Sequence, residues 1–172
     1  EGSMVLIKTL TASSDSTLEF VDGTDDVVLD NTYPIYLFKF INIHPQTDET
    51  AFQFQGNAAG GSGYNETMTT TFFRATHTEA GTGCAVAYFT AVDQAQGTGF
   101  QPLSYAMKND NDACHSGYLY LFGPSSTTFI KNFLATTNEM NDSPGSYQNF
   151  IGGYFNTTSA IDEIQFKMTG GN

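Results

Sequence analysis

The sequence predicts an all-β protein, a single antiparallel β-sandwich domain with a jelly-roll-like arrangement, and three observations predict it. Fifteen Phe and nine Tyr residues dominate the apolar content, without any Trp, and large aromatic side chains favour half-buried strand surfaces. Short segments alternate between apolar and polar residues, as strands do. Gly, Pro, Asn and Asp separate these segments at the short spacing that is typical of sandwiches and jelly rolls.

One domain accounts for the whole chain. The 172 residues, of which 40% are hydrophobic, are enough for one good core and too few for two. No repeat of 20 to 50 residues and no Pro- or Ser-rich linker divides the sequence. We therefore expect residues 1–172 to form a single domain.

Four strands are predicted in the first half of the chain. Tyr33–Ile43 is apolar on both faces, so we expect it to be buried between two layers. In Ala51–Gln55, Phe52 and Phe54 point one way and the two glutamines point the other. The Gly-rich segment Gly56–Gly63 is predicted to be a loop. The other two predicted strands are Ser3–Thr11 and Thr17–Val21.

The second half is predicted to contain a hairpin and further strands. A tight connection, Gly123–Ser126, joins Gly117–Phe122 to a returning strand, Thr127–Ala135. Ile161–Met168 alternates, with its apolar residues from Ile164 onward on one face. Cys84–Gln96 fits either a helical face or a strand followed by a turn. The remaining predicted strands are Thr67–Ala75, Phe100–Tyr105 and Tyr147–Phe155.

The charge balance excludes two classes of partner. Eighteen acidic residues face six basic ones, and the formal net charge is −12. Nucleic-acid binding needs a basic face to neutralise phosphates, and six scattered cations do not form one. An anionic membrane surface repels such a chain, and no run of 18 apolar residues is present. We expect neither a nucleic-acid nor a membrane partner.

Cysteine and histidine residues do not predict a zinc site. Among the possible ligands Cys84, Cys114, His77 and His115, only Cys114 and His115 are adjacent, and neighbours on a strand point to opposite faces. A Cys84–Cys114 disulfide remains open as an alternative, because the number of cysteines is even. The interpretation that we favour is two buried thiols that act as small hydrophobic side chains.

Two acidic clusters raise the question of calcium. They do not match the EF-hand spacing, which requires Gly at the sixth place and Glu at the twelfth. Asp and Asn side chains more often bond their own backbone to make turns, and we favour that role. The clusters consist of Asp22, Asp25, Asp26 and Asp30, and of Asn109, Asp110, Asn111 and Asp112. We predict no metal and no cofactor.

No catalytic residues are predicted, and we expect the protein not to be an enzyme. Ser62 lies in a glycine-rich segment, but Tyr64 stands where a nucleophile elbow needs Gly. Asp162 and Glu163 lie on a predicted strand as in some sandwich-fold glycosidases. Retaining chemistry needs a second carboxylate on the same face as Glu163, and Gln165 and Lys167 occupy the following positions on that face.

Carbohydrate binding remains open as an alternative function. Sugars stack on exposed aromatic rings, and Tyr64, Tyr147 and Tyr154 are the residues available for this in a chain without Trp. Aromatic residues at strand spacing more often belong to the core than to a site. A host glycan is therefore a second candidate partner.

Three stretches of the sequence, Tyr36–Pro45, Leu121–Thr128 and Gly153–Met168, resemble virion structural proteins of bacteriophages, especially of marine tailed phages. The resemblance extends over nearly the whole chain and is most specific in the last stretch. It implies a non-enzymatic particle component and supplies no catalytic residues. Related chains continue beyond a Gly-Asn pair like Gly171-Asn172 into another strand. We therefore expect a closing strand to be missing here, with a sheet edge that needs a partner.

Within a virion, the resemblance implies a capsid decoration or cement protein. A head or tail fibre that binds a receptor glycan is the alternative. Both roles depend on buried apolar area and strand pairing between subunits, so the expected partners are other virion proteins and further copies of this chain. The uncharged segments Thr67–Thr71 and Ser125–Thr128 are candidates for such contacts.

Overall fold

A computed structural model describes residues 3–141 and 143–171, and within them it contains only strands, turns and loops. No helix of the described residues is long and apolar enough to cross a membrane. The strands are β1 (Thr17–Val21), β2 (Ile35–Ile43), β3 (Phe52–Ala58), β4 (Met68–Thr78), β5 (Cys84–Tyr88), β6 (Ala95–Gly97), β7 (Gln101–Pro102), β8 (His115–Phe122), β9 (Lys131–Met140), β10 (Gly145–Phe155) and β11 (Ile161–Met168).

The strands form two antiparallel sheets that pack face to face. The small sheet has the order β1-β11-β3-β7. The large sheet has the order β2-β8-β9-β10-β4-β5, and β6 also pairs with β4. Phe and Tyr side chains from the facing surfaces fill the space between the sheets. The prediction of an all-β antiparallel sandwich is confirmed.

One inserted hairpin explains why the large sheet is wider than the small one. Without β8 and β9, the sheet orders are β1-β11-β3-β7 and β2-β10-β4-β5. The chain then crosses between the sheets in the manner of an eight-stranded jelly roll. The β8–β9 hairpin lies between β2 and β10, and it extends the large sheet by two strands.

Phe166 lies at the centre of the core. Its ring centroid lies 5.2 Å from that of Phe40 and 5.4 Å from that of Phe38. It stacks on Phe52 at 5.7 Å and meets further rings from β1 and β3. These edge-on and stacked contacts are the geometries that aromatic pairs prefer. The cluster joins β11 and β3 of the small sheet to β2 of the large sheet.

A long connection covers part of the inner face of the large sheet. Leu103 is fully buried in it, and the Leu103 carbonyl accepts hydrogen bonds from Thr137 Oγ1 at 2.6 Å and Asn149 Nδ2 at 3.3 Å. Met107 is also buried and bridges to Thr50 and Asn141. Inward polar side chains of β9 and β10 therefore hold the segment between β7 and β8 in place.

The prediction of a strand at Ser3–Thr11 is wrong. These residues form no strand; instead, Ile7 packs against the core and Lys8 Nζ donates to the Asp25 carbonyl at 2.7 Å. Apolar residues in this segment produced the misassignment, because composition does not reveal whether a backbone partner is present.

Tyr33–Ile43 is also not buried on both faces. The strand begins at Ile35 and lies at the edge of the large sheet, where Ile35 and Ile41 are exposed. Only the side chains that alternate with them, such as Phe38, enter the core. The continuous apolar run arises because this strand has an apolar outward face.

The other differences between the predicted and the observed strand bounds lie where strands meet their connections. The hairpin is confirmed, but its second strand starts at Lys131 instead of Thr127. The strand predicted at Phe100–Tyr105 contains only Gln101–Pro102, since Pro102 has no N–H for a ladder. β3 continues through Gly56 to Ala58. Two strands match the prediction in full, Thr17–Val21 and Ile161–Met168, and the open segment at Cys84 forms a strand followed by a turn.

Replacing Phe166 with Ala should lower the free energy of unfolding by about 3–5 kcal/mol, because the cavity removes packing from both sheets. Chemical denaturation measures this. Phe129→Ala is the matched control: Phe129 is 72% exposed, and its loss should change stability by less than about 0.5 kcal/mol. Equal losses for the two variants would contradict the central position of Phe166.

Candidate functional site

The outer face of the small sheet is covered by the protein's own chain along β3 and β11, whereas β1 stays exposed. Gln55 points outward from β3 yet is fully buried. Its Nε2 lies within 2.9–3.2 Å of the carbonyls of Glu66, Thr98 and Gly99. Lys167 Nζ on β11 lies 3.9 Å from the centroid of the Phe100 ring. The residues that precede β4 and those that follow β6 therefore shield this part of the outer face.

The strand residues that point outward from the large sheet include no carboxylate, although Asp93, in the loop after β5, accepts a hydrogen bond from the Tyr88 hydroxyl at 2.6 Å at the edge of this face. Strand alternation and register give its outward positions, all of which lie within the described part of the chain. Neither Asp nor Glu occupies any of them, although the chain has 18 acidic residues. We call this surface the acid-free face, and it consists of Ile35, Leu37, Lys39 and Ile41 (β2), Ser116, Tyr118, Tyr120 and Phe122 (β8), Asn132, Leu134, Thr136, Asn138 and Met140 (β9), Ser146, Gln148, Phe150, Gly152 and Tyr154 (β10), Thr69, Thr71, Phe73, Ala75 and His77 (β4), and Cys84, Val86 and Tyr88 (β5).

Large apolar side chains on the acid-free face reach solvent. Leu134 is 55% exposed at its centre, Tyr118 42% and Val86 75%. The rings of Phe73 and Phe150 stack on neighbouring strands, with centroids 4.9 Å apart and planes 11° apart. This stacking orders the two rings and still leaves Phe73 41% exposed.

Charge depletion together with aromatic enrichment is the composition of a protein interface core. A contiguous exposed apolar patch on a soluble protein marks an interaction site more often than a catalytic one. Lys39 is the one Lys or Arg among the outward positions, and it lies on the edge strand β2. The acid-free face is therefore the candidate functional site.

A groove at one edge extends this surface. Its volume is about 260 Å³, and it lies between Met4 of the N-terminal segment and the side chains of Leu37, Ile41 and Tyr118. Met4 is itself exposed. The apolar surface therefore continues past β2 onto the N-terminal segment.

The cysteines are not buried, contrary to the interpretation favoured from the sequence. Cys84 and Cys114 are free and exposed, so they form no disulfide in this structure. Cys84 lies opposite His77 across β4 and β5, whereas His115 is fully buried. Within residues 3–141 and 143–171, no three His, Cys, Asp or Glu residues are grouped so as to hold a metal ion.

His115 belongs to a buried polar pair. Its Nδ1 lies 3.4 Å from Glu139 Oε2, and both side chains are inaccessible to solvent. The other Glu139 oxygen accepts a hydrogen bond from the Tyr105 backbone N–H at 3.0 Å. The pair thereby holds the inner connection against β8 and β9, which is a structural role.

The side chains of the first acidic cluster form turns, as we expected. Asp22 Oδ1 accepts the Leu29 N–H at 2.8 Å, and Asp30 Oδ1 accepts the Thr32 N–H at 2.7 Å. In the second cluster the turn depends on the backbone instead: the Asp110 carbonyl accepts the Ala113 N–H at 2.9 Å, and the Asn109 side chain donates to the Gln46 carbonyl of another segment at 3.1 Å. These bonds satisfy backbone donors at chain reversals.

The structure reveals an acidic residue near Glu163 that sequence spacing missed. Glu163 on β11 and Glu19 on β1 both point outward from the small sheet, and they are diagonal neighbours in the strand register. Glu19 accepts a hydrogen bond from Gln165 Nε2. Ser62, considered as a nucleophile from the sequence, lies exposed in the loop after β3. Residue spacing along β11 alone does not reveal a carboxylate on the adjacent strand β1.

The three tyrosines considered for sugar binding have different environments. Tyr147 is buried, with the guanidinium of Arg74 5.1 Å from its ring centroid. Burial, together with the carboxylates of Glu163 and Glu19, raises the pKa of Tyr64. Tyr154 is half-buried on the acid-free face. The structure does not bring the three tyrosines together on one surface: Tyr147 points inward and Tyr154 outward from the large sheet.

Comparison with known proteins adds no relative: no family model, curated protein or solved structure matches this chain. The function must therefore be inferred from the residues of the chain itself. Among the surfaces described above, the acid-free face carries the strongest departure from the composition of the whole chain.

Burial of the Lys131 side chain lowers the stability of the folded state. Its side chain is inaccessible to solvent, and its Nζ donates to the Thr157 carbonyl at 3.1 Å. Burial lowers the pKa of Lys131, and the Glu66 carboxylate opposes this effect. An ammonium group held by one backbone carbonyl is incompletely compensated for the loss of water.

Replacing Lys131 with Met should raise the free energy of unfolding by about 1–3 kcal/mol at neutral pH, since an apolar side chain of similar length removes the buried charge. The folded-state pKa lies below the ordinary value of 10.5. Between these values the unfolded state binds more protons, so the stability of the parent rises with pH in this window.

The advantage of Lys131→Met should accordingly shrink as the pH rises from neutral toward the ordinary lysine pKa of 10.5. Denaturation of both proteins at each pH measures the difference. A variant that is less stable than the parent at neutral pH would show that the ammonium group stabilises the fold.

Proposed function

We propose that this protein is a structural component of a bacteriophage virion, most specifically a capsid decoration or cement protein. The observation that carries the proposal is the acid-free face. A surface without carboxylates, on a chain with a net charge of −12, is suited to being covered by another protein. The resemblance of three sequence stretches to phage virion proteins supports the particle as its location.

The distribution of charge supports a role in assembly. Acidic residues at other surfaces keep the free subunit soluble and limit random association. The acid-free face lacks that protection, since Leu134, Tyr118 and Phe73 reach solvent there. Association through this one surface gives a defined arrangement of subunits, which a particle component needs.

A receptor-binding fibre with a glycan ligand is the alternative. The observation in its favour is that Tyr88 and Tyr118 present exposed rings that suit stacking on a sugar. Against it, Tyr147 is buried and Tyr64 is half-buried. Small-ligand sites are usually concave with a few converging polar groups, whereas these rings lie on a sheet face. Binding on a glycan array that is lost in Tyr118→Ser would favour the alternative.

Mass spectrometry of purified virus particles tests the proposal directly. We expect the chain to be present at a fixed ratio to the coat protein, because a structural subunit occupies symmetry-related positions. Its absence from intact particles would overturn the proposal.

Incorporation should depend on the acid-free face. Leu134→Lys introduces a charge at the centre of the face and should reduce incorporation at least about 30-fold, the effect of losing an interface hot spot. Thr17→Lys is the matched control, because Thr17 is exposed at the outer side of β1 on the small sheet. Equal incorporation of the two variants would show that another surface attaches the protein.

A further inference from the structure

The electrostatic character of the acid-free face selects the chemistry of its partner. Charge complementarity would select a basic partner for the acidic surfaces of this chain. The acid-free face has no acidic side chain among its outward residues to attract such a partner, and its basic side chains are Lys39 and His77. Its partner is therefore an uncharged surface that combines aromatic, Thr and amide side chains. A second copy of this chain presents such a surface, namely the same face.

The dimensions of the face suit a stable dimer. Six strands, β2-β8-β9-β10-β4-β5, cross it. With strands about 4.8 Å apart and about eight residues at about 3.4 Å each, the face covers roughly 800 Å². A standard protein interface buries about 800 Å² on each partner. Two such faces would pack as sheets do in a sandwich, about 10 Å apart.

The central residue row is self-complementary. Leu134 on β9 lies directly beside Gly152 on β10. A two-fold axis between the two faces, parallel to the strands and midway between β9 and β10, places Leu134 of each copy over Gly152 of the other. Leu134 is 55% exposed and leans toward Gly152 of its own copy, which has no side chain. In the same row, Tyr120 of one copy faces Thr71 of the other.

The next row matches in the same way. It runs across the sheet as Lys39, Tyr118, Thr136, Phe150, Phe73 and Tyr88. The same axis places Thr136 over Phe150, Tyr118 over Phe73, and Lys39 over Tyr88. Small side chains therefore meet large ones, one aromatic ring meets another, and the cation meets a ring face.

A third row adds polar complementarity. Asn138 and Gln148 are paired across β9 and β10, so the axis places the two amides of one copy over those of the other. Amide groups both donate and accept hydrogen bonds. Each pair is therefore able to satisfy its opposite without a charged partner.

From these three rows we infer that the acid-free face binds a second copy of this chain, face to face, about a two-fold axis between β9 and β10. The inference deepens the proposed function. It rests on that function in one respect, namely that the dimer is a building unit of the particle. It is tested on the isolated chain, so its failure is distinguishable from absence of the protein from particles.

A reciprocal exchange of Leu134 and Gly152 tests the axis. Gly152→Leu places a side chain where Leu134 of the second copy belongs, and should weaken the dimer at least about 30-fold. A Cβ at Gly152 would lie 3.3 Å from Cδ2 of Leu134, which is a tight contact, and the exposed Leu134 side chain can shift to relieve it in the monomer. Leu134→Ala combined with Gly152→Leu restores one large and one small residue in each pair, and should recover most of the affinity.

Sedimentation velocity over a concentration series of the purified chain is the measurement. Thr17→Leu is the control for an added exposed Leu, and thermal unfolding of each variant confirms that it folds. If Gly152→Leu does not fold, Leu134→Lys is tested instead, because it weakens the interface by placing a charge at an exposed position. A monomer at all concentrations, an odd-numbered oligomer, or a double variant that stays as weak as Gly152→Leu would overturn the two-fold arrangement.

Salt dependence separates this dimer from a charge-driven complex. Two chains of like charge repel at long range, and salt screens this repulsion within about 10 Å at 0.1 M. The dimer should therefore tighten as the salt concentration rises. Weakening with salt would show that opposite charges hold the copies together, which contradicts association through the acid-free face.

Discussion

The packing of Phe166 between the two sheets is the contact on which the surfaces of the molecule depend. Its ring meets rings from β1, β2 and β3, and these contacts determine which side chains of those strands face inward. Because successive strand residues point to opposite faces, each inward aromatic residue also determines its outward neighbours. On β2, for example, inward Phe38 and Phe40 leave Leu37, Lys39 and Ile41 on the outside.

The two outer faces that result are treated differently by the chain. Loops fold over the small sheet, and the buried Gln55 amide ties them down through three backbone carbonyls. On the outer side of the large sheet, the described residues provide no comparable cover beyond Met4, which borders Leu37, Ile41 and Tyr118, and yet this side carries Leu134, Tyr118 and the stacked Phe73–Phe150 pair. Glu139 illustrates the separation of charge: it is the one carboxylate on β8, β9 or β10, and it points inward to His115. Leaving apolar rings in water is unfavourable, which supports the proposal that another protein covers this face.

The sequence predicts the fold class and most strands because aromatic alternation and turn residues are local signals. It predicts two strands, Thr17–Val21 and Ile161–Met168, at the observed bounds. It fails where the outcome depends on distant partners. The apolar segment Ser3–Thr11 finds no strand to pair with, and the apolar outward face of β2 is mistaken for a second buried face. The acid-free face cannot be read from any one segment, because it combines alternate residues of six strands whose order depends on the fold. Signals were nevertheless present: β8 has three outward aromatic residues in succession, Tyr118, Tyr120 and Phe122.

A map of the assembled virus particle by electron cryomicroscopy tests the central claim, that the acid-free face is an interface, most directly. We expect Leu134, Tyr118 and Phe73 of each copy to contact another protein chain, with the outer loops of the small sheet facing solvent or a different neighbour. A map in which this chain is bound through the small sheet, with Leu134 and Tyr118 open to solvent, would contradict it.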